Sequence, residues 1–293
     1  MPASKTIIAI TAVVIALLGC GSGKDQAAPA GALSLGLPGT STLSANWTLD
    51  GVPCALIPVP AAAPLGTGTC PGVRPGAIVL SDVGQCTLNF LFQGSDGSRY
   101  IGTAGHCILG TSPFGGDAGE MAWAPGTGPV ARDAGGNPIG EFAYAILQDP
   151  KDFSLIRLDP FVESNAAMCH FGGPTAVNDD RPGLTELVVL NWFGNGVAVG
   201  AVLPARSAVA AGMPSPDHVF AQGVAAPGDS GSGVISSDGR AVGVLVTVGV
   251  HTASIGSGGL DAGMIGMTRL TPQLERAQQV LGVDLVLQLA PTQ

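Results

Sequence analysis

Short apolar runs separated by glycine-rich turns dominate the chain from residue 76 to residue 282. The runs are rich in valine, isoleucine, leucine and phenylalanine. They end at clusters of glycine, serine, asparagine, aspartate or proline, which is typical of β-strands. Predicted strands cover residues 77–80, 87–92, 99–104, 139–147, 187–192, 197–203, 219–224, 234–235, 241–250 and 264–270. Many short strands joined by such turns predict an all-β fold.

One helix is predicted near the carboxyl terminus. Thr271 followed by Pro272 is typical of a helix N-cap and its first residue. Gly282 is suited to end the helix in a left-handed conformation. The apolar residues that share one face of this helix are Leu274, Ala277 and Leu281.

The first 19 residues have the pattern of an export signal. Lys5 precedes an apolar run from Ile7 to Gly19, which is too short to span a bilayer. The following residue, Cys20, completes a sequence that resembles a bacterial lipobox, in which the cysteine is acylated and becomes the first residue of the mature chain. We therefore expect a chain anchored to a bilayer through Cys20, on a bacterial membrane or cell surface. The alternative is an ordinary secretory signal in which Cys20 is incidental.

The remaining chain divides into a tether with an extension, residues 20–75, and a main domain, residues 76–293. The tether is rich in alanine, glycine, serine and proline without periodicity, which is typical of a flexible linker. The extension contains Cys54 and Cys70 around a stretch of proline and alanine, so a disulfide-closed loop is expected there.

Composition narrows the possible partners. The chain has 293 residues, a net charge of −9 and only three lysines, so nothing supports a nucleic-acid interface. The 46% hydrophobic content is enough to build a core and argues against disorder. No spacing of cysteine and histidine resembles a zinc site, and neither a metal nor a cofactor is expected. We expect a monomer.

The segment Gly228-Asp229-Ser230-Gly231-Ser232-Gly233 has the composition of a tight turn. Such a turn can expose a serine hydroxyl and aim the N–H groups of Gly228 and Ser230 at a developing oxyanion. A serine hydroxyl attacks only when a neighbouring base takes its proton. By itself the segment is equally compatible with an ordinary surface turn.

Two upstream motifs favour the catalytic interpretation. They are Thr103-Ala104-Gly105-His106-Cys107 and Asp152-Phe153-Ser154-Leu155-Ile156. With Ser230, they give the order histidine, aspartate, serine, and together they resemble the bacterial branch of the chymotrypsin-like (trypsin-like) serine peptidases. An α/β-hydrolase requires the serine first and a subtilisin the aspartate first, so the order excludes both.

The resemblance implies a fold of two antiparallel six-stranded Greek-key β-barrels followed by a C-terminal helix. It implies that His106 is the general base, Asp152 its orienting carboxylate and Ser230 the nucleophile. It also implies a disulfide between Cys86 and Cys107 that braces the histidine loop. Of the other cysteines, Cys54 and Cys70 are expected to pair because both lie in the extension, which leaves Cys169 free.

Three positions depart from the family pattern. No Ile-Val-Gly-Gly-like amino terminus begins the domain, so Asp229 needs another partner; bacterial relatives use an arginine, and the sequence does not indicate which one. Ser232 replaces the second glycine of the commoner GDSGG motif and should be tolerated. Val246 aligns with a serine that supports the catalytic aspartate in the family.

The resemblance also locates a specificity pocket. Val224, six residues before Ser230, takes the position at the pocket base, and Val246 and Val248 take the position of its wall. Without an acid at the base, burial of an arginine or lysine side chain is costly. We predict cleavage after alanine, valine or leucine. A one-residue bulge would place Gly249 at the wall instead and open the pocket to aromatic side chains.

The resemblance implies an active, exported serine endopeptidase whose substrates are proteins or peptides. Two other functions remain compatible with the motifs. A catalytically inactive relative could serve as a lipid-anchored binding or scaffold protein, although such relatives usually lose a triad residue. A secreted esterase is disfavoured by the residue order.

Overall fold

The computed structural model describes residues 46–49, 52–55, 70, 72–110, 118–180, 188–197, 199–248 and 263–292. The chain divides into two units, Met1–Pro58 and Val59–Gln293. The described part of the first unit is an antiparallel hairpin of β1 (Asn46–Leu49) and β2 (Val52–Ala55). The predicted signal segment and Cys20 lie outside the described residues.

In the described part of the first half of the second unit there are eight strands and one short helix. Their bounds are β3 Ile78–Leu80, β4 Gln85–Thr87, β5 Leu91–Gly94, β6 Arg99–Thr103, α1 His106–Leu109, β7 Gly119–Ala122, β8 Val130–Arg132, β9 Pro138–Gln148 and β10 Lys151–Leu158.

The second half adds seven strands and two helices. They are β11 Val189–Phe193, α2 Val199–Val202, β12 Ala205–Ser215, β13 His218–Gly223, β14 Gly233–Ser236, β15 Ala241–Val248, β16 Gly263–Arg269, α3 Leu270–Leu281 and β17 Leu285–Leu287.

The predicted fold class is confirmed. Strands β11 to β16 form a closed six-stranded barrel in the order β11-β12-β13-β16-β15-β14, entirely antiparallel. The first half forms a nine-stranded sheet in the order β17-β5-β6-β10-β9-β8-β3-β4, with β7 paired to β9. This sheet recruits the C-terminal strand β17, which the sequence pattern did not predict. Each half has its own apolar core, centred on residues such as Phe90 and Phe142 in the first and Trp192 and Leu245 in the second.

Two strand predictions were wrong. The predicted strand 87–92 is instead the end of β4 and the start of β5, with residues 88–90 outside both. The other is the predicted strand 197–203. In the segment predicted as residues 197–203, Val199–Val202 form the helical turn α2, and the neighbouring strand is β12, which begins at Ala205. Four of the eleven residues of β12 are alanine, which has weak β-propensity, and the strand has no clear alternation, so the apolar pattern did not reveal it. The antiparallel register of β12 with β11 and β13 determines its conformation instead.

The C-terminal helix begins two residues earlier than predicted, at Leu270 rather than Pro272. Arg269 is the N-cap, and the Thr271 hydroxyl bonds to the side chain of Asp179 rather than capping the helix. Gly282 ends the helix as predicted, with a φ of 65° and its N–H donated to the carbonyl of Gln278. The helix buries Ala277 against the sheet core.

The disulfide predictions were partly right. Cys86 pairs with Cys107, as the resemblance implied, with a Cα–Cα distance of 6.2 Å. Cys70 pairs with Cys169, 99 residues away, so the predicted bond between Cys54 and Cys70 and the free Cys169 were both wrong. Proximity in the sequence favoured a bond between Cys54 and Cys70. A disulfide, however, requires Cα atoms about 4.4–6.8 Å apart, and the fold brings the Cα atom of Cys169 to 5.7 Å from that of Cys70.

Two disulfides are typical of a protein that folds in an oxidising, extracytoplasmic compartment. Within the described ranges, no helix has both the length and the apolar character needed to cross a membrane.

Candidate active site

His106 and Asp152 form a direct side-chain pair. The ring Nδ1 of His106 lies 2.7 Å from Oδ2 of Asp152, and the backbone N–H of His106 donates to Oδ1 at 2.9 Å. The carboxylate therefore holds both the ring and the backbone of the same residue. With the Nδ1 proton donated to Asp152, Nε2 is left as the basic nitrogen.

The strand register produces this pair. β10 runs antiparallel to β6 and pairs Ser154 with Thr103, so Asp152 comes level with Gly105, next to His106. Gly105 is required because a Cβ there would overlap the carbonyl oxygen of Ile146 on β9. The glycine of the predicted histidine motif thus allows the chain to turn against its own sheet.

Burial and charge act on His106 in opposite directions. Burial of the ring lowers its pKa, whereas the hydrogen bond and the negative charge of Asp152 raise it. The net result is a pKa above the ordinary histidine value of 6.5. The side chain keeps 16% of its surface exposed, so a substrate or water can reach it.

The turn that carries Ser230 packs against the end of β6. A Cβ on Gly231 would lie 3.0 Å from the backbone nitrogen of Ala104 and would overlap the Thr103 hydroxyl. Ala104 is two residues before His106, so the serine turn and the histidine motif meet at this contact. Gly231 has a φ of 90°, which only glycine adopts readily.

Thr87, at the end of β4, links the two halves. Its hydroxyl donates to the carbonyl of Gly228 at 2.8 Å, and its N–H donates to the carbonyl of Ser230 at 2.8 Å. The backbone N–H and the side-chain amide of Asn195 donate to the same hydroxyl. Thr87 is fully buried, so these bonds are shielded from water.

The peptide groups of the turn alternate in direction. The N–H groups of Asp229 and Gly231 donate to the carbonyls of Ala226 and Leu245. Across the part of the chain that the structure describes, the N–H groups of Gly228 and Ser230 have no acceptor. Two free N–H groups on alternate residues are the arrangement that an oxyanion hole requires.

The carboxylate of Asp229 is fully buried and has four donors. Both terminal nitrogens of Arg206 donate to it as a bidentate pair. The N–H groups of Gly196 and Ala226 donate to the same carboxylate at 2.7 and 2.8 Å. The guanidinium also lies 5.5 Å from the ring centroid of Trp192. Arg206 is therefore the partner of Asp229 that the sequence did not identify.

Arg206, Thr87 and Asn195 were all missed from the sequence. Arg206 carries the only usable signal, because it is a lone charged residue in the alanine-rich run that became β12. A charge in such a run is expected to be paired when the strand is buried. Thr87 and Asn195 act through hydrogen bonds between halves that are distant in sequence, so no local pattern marks them.

The predicted pocket residues have different environments. Val224 is 43% exposed, and its carbonyl accepts a bond from Arg206. Val246 is buried, at 8% exposure. The side chain of Val248 lies outside the described residues.

The backbone of β15 has a one-residue bulge at Val246. Leu245 pairs with Met267, whereas Thr247 pairs with the adjacent Gly266. A bulge changes which side chains face each side of the strand. The prediction of a narrow pocket assumed that β15 pairs without a bulge. The bulge therefore favours the alternative of a wider pocket.

The Cys86–Cys107 disulfide lies directly beside His106. These three residues form the one cluster of possible metal ligands among the described residues, with their ligand atoms within 4.8 Å of one another. Both sulfurs are bonded to each other, so neither is available as a thiolate ligand. The disulfide instead joins β4, which ends at Thr87, to the helical turn that starts at His106.

Replacing Arg206 by methionine should destabilise the protein and abolish any activity that depends on the turn. The change leaves the Asp229 carboxylate buried without its cation, which typically costs about 3–5 kcal/mol. Urea unfolding followed by circular dichroism measures the loss.

Arg240→Met is the matched control for this variant. Arg240 pairs with Asp180 and Asp238 at the surface, so its loss should leave the free energy of unfolding close to that of the parent. Equal stability of Arg206→Met and Arg240→Met would contradict the role given to the buried pair.

No protein-family model and no curated protein sequence matches the chain. Solved structures do show a likeness. A glutamic-acid-specific serine protease aligns over 73% of this chain and 100% of its own, with 16% identity and a TM-score of 0.48. Cellulomonas bogoriensis chymotrypsin aligns over 74% and 99%, with 16% identity and a TM-score of 0.46. A Nocardiopsis protease aligns over 73% and 98%, with 18% identity and a TM-score of 0.44.

Likeness at this level concerns the course of the backbone and not the chemistry of the site. The chain's own topology carries the assignment of the fold. A closed six-stranded antiparallel barrel follows a sheet that bears the histidine and aspartate motifs, and a helix lies near the carboxyl end. The chain thus has the chymotrypsin-like fold that its three motifs predicted.

Proposed function

We propose that this protein is an exported serine endopeptidase that cleaves peptide bonds through an acyl-enzyme. One observation carries the proposal: His106, oriented by Asp152 at 2.7 Å, borders a serine turn in which the Gly228 and Ser230 N–H groups have no acceptor among the described residues. A base, a nucleophile and two free amide donors are the parts that acyl transfer needs.

The reaction proceeds in two halves. Ser230 Oγ attacks the substrate carbonyl carbon while His106 Nε2 takes the hydroxyl proton, and the Gly228 and Ser230 N–H groups stabilise the oxyanion. Collapse breaks the C–N bond, and His106 gives its proton to the leaving amine. Water then attacks the acyl-enzyme with His106 again as base, which releases the carboxylate product and restores Ser230. Asp152 stabilises the imidazolium that forms in each half.

The second candidate is an inactive relative that binds other proteins. It is less well supported because the catalytic pair, the buried ion pair and the free amides are all retained. A protein that only binds other proteins has no need for two backbone N–H groups without acceptors.

Replacing Ser230 by alanine should remove both fluorophosphonate labelling and peptide hydrolysis. The variant deletes only Oγ, and the backbone carbonyl of residue 230 still accepts the Thr87 N–H, so the fold should survive. Labelling on a gel and release of a chromogenic group measure the two activities. Ser207→Ala is the control, because Ser207 bonds to Asn191 within the second barrel and should leave both activities intact. A fully active Ser230→Ala would overturn the assignment.

Activity should rise with pH as His106 loses its proton, with a midpoint above 6.5. The base must be neutral to act, and Asp152 raises the pKa of His106. Asp152→Asn removes the negative charge, so the midpoint should move to lower pH and kcat should fall by about 10⁴-fold. The pH profile of kcat/KM reports the parent, and an NMR titration of the imidazole reports the variant. Identical midpoints would contradict this electrostatic role.

We infer that the enzyme prefers an apolar residue before the cleaved bond. Val224 places no carboxylate at the pocket base, so a lysine or arginine side chain would be buried without a partner. A panel of chromogenic peptides should show cleavage after apolar residues at least tenfold, or about 1.4 kcal/mol, better than after lysine or arginine. Preference for alanine, valine or leucine supports the narrow pocket, and preference for phenylalanine supports the wider one favoured by the bulge. Preference for arginine would overturn both.

We also propose that Cys20 is acylated and anchors the chain to a bilayer. More than one acyl chain gives stable rather than marginal membrane attachment. Cys20→Ala should move the protein from the detergent phase to the aqueous phase in a partitioning experiment. Unchanged partitioning would favour the alternative of an ordinary secretory signal.

A further inference from the structure

We propose that Ser232 is a positioning residue for the oxyanion hole, and that its hydroxyl holds the peptide group that presents the Ser230 N–H. The proposal rests on the proposed peptidase function and identifies a residue that this function does not itself require. Ser232 is the position at which the chain departs from the commoner GDSGG motif.

The geometry of one peptide group carries the argument. The carbonyl of Asp229 accepts two hydrogen bonds, from the Ser232 N–H at 3.0 Å and from the Ser232 hydroxyl at 2.7 Å. This carbonyl and the N–H of Ser230 belong to the same planar peptide group. The group is trans, because the cis bonds of the described chain are those before Pro150 and Pro174. In a trans peptide the two groups point in opposite directions, so holding the carbonyl directs the N–H.

The hydroxyl adds a bond that glycine cannot supply. A glycine at position 232 retains a backbone N–H, but only a side chain provides the second donor to the Asp229 carbonyl. The other oxyanion donor is held more lightly: the Pro227 carbonyl, which shares a peptide group with the Gly228 N–H, accepts one bond from the Val197 N–H at 2.8 Å. The Ser230 N–H therefore belongs to the more strongly held peptide of the two.

The surroundings are shaped to accept this hydroxyl. Ser232 is fully buried, so no water competes for the bond. Gly194 lies opposite, and a Cβ there would stand 2.9 Å from the Ser232 hydroxyl and overlap a carboxylate oxygen of Asp229. The absence of a side chain at Gly194 thus leaves space for both the ion pair and the added hydroxyl.

Removal of the hydroxyl should affect the transition state more than the bound substrate. The oxyanion develops only during the reaction, so a loosely held N–H lowers kcat and leaves KM nearly unchanged. Loss of one hydrogen bond of ordinary strength corresponds to a decrease of about three- to tenfold in kcat.

The test compares Ser232→Ala and Ser232→Gly with the parent enzyme. For each, kcat and KM are measured on a chromogenic peptide, together with the inhibition constant of a peptide boronic acid, which mimics the tetrahedral intermediate. We expect kcat to fall and the boronate inhibition constant to rise by the same factor, with KM changed less than about twofold. Ser232→Gly provides a second variant that the turn accommodates if alanine impairs folding.

Ser236→Ala is the matched control. Ser236 is also a buried serine of this region, on β14. Its hydroxyl donates to Asp238 and the Arg240 carbonyl and accepts a bond from the Asn178 side-chain amide, and none of these partners belongs to the Ser230 turn. Its kinetic constants should equal those of the parent.

The outcomes separate the two proposals. An active parent with unchanged kcat and boronate affinity in both Ser232 variants overturns the role of Ser232 alone. A rise in KM without a fall in kcat, or an equal loss in Ser236→Ala, also overturns it, because a merely structural residue gives that result. A parent that neither hydrolyses peptides nor reacts with a fluorophosphonate overturns the proposed function, and this proposal with it.

Discussion

The buried ion pair between Arg206 and Asp229 is the constraint on which the candidate site depends. A carboxylate with no exposed surface is tolerated only when its charge is paired and its oxygens are hydrogen-bonded. Asp229 meets this requirement through Arg206 and the N–H groups of Gly196 and Ala226. Because Asp229 precedes Ser230 directly, satisfying the carboxylate also determines the path of the backbone at Ser230.

The cation that pairs with Asp229 comes from a strand of the second barrel, since Arg206 lies on β12. A charge fixed on a barrel strand is present as soon as β12 pairs with β11 and β13. The site geometry around Asp229 then needs no cleavage to form.

The second constraint is the junction between the sheet and the barrel. The histidine and aspartate belong to the sheet, and the serine belongs to the turn before β14. Thr87 joins them through the carbonyls of Gly228 and Ser230, and the Cys86–Cys107 disulfide ties the strand of Thr87 to the turn of His106. A few buried hydrogen bonds can therefore align the three side chains of the candidate site, which come from separate halves of the structure.

The sequence alone determined the fold class, the three motifs and the disulfide next to the histidine. These features are local or follow from a motif order that differs between unrelated folds. His106, Asp152 and Ser230 could be named because each lies in a short pattern whose glycines and neighbours have a defined purpose. The apolar runs between glycine and proline residues located β9, β13 and β16 to within one residue at each end.

Only the tertiary structure decided which distant groups meet. Three contacts join residues that are far apart in the chain. They are the disulfide between Cys70 and Cys169, the ion pair between Arg206 and Asp229, and the hydrogen bond from the Thr87 hydroxyl to the Gly228 carbonyl. The bulge at Val246 arises from the register between two strands, which alternation in one strand cannot reveal. Such contacts depend on the closure of sheet and barrel, and a linear pattern contains no information about distance in space.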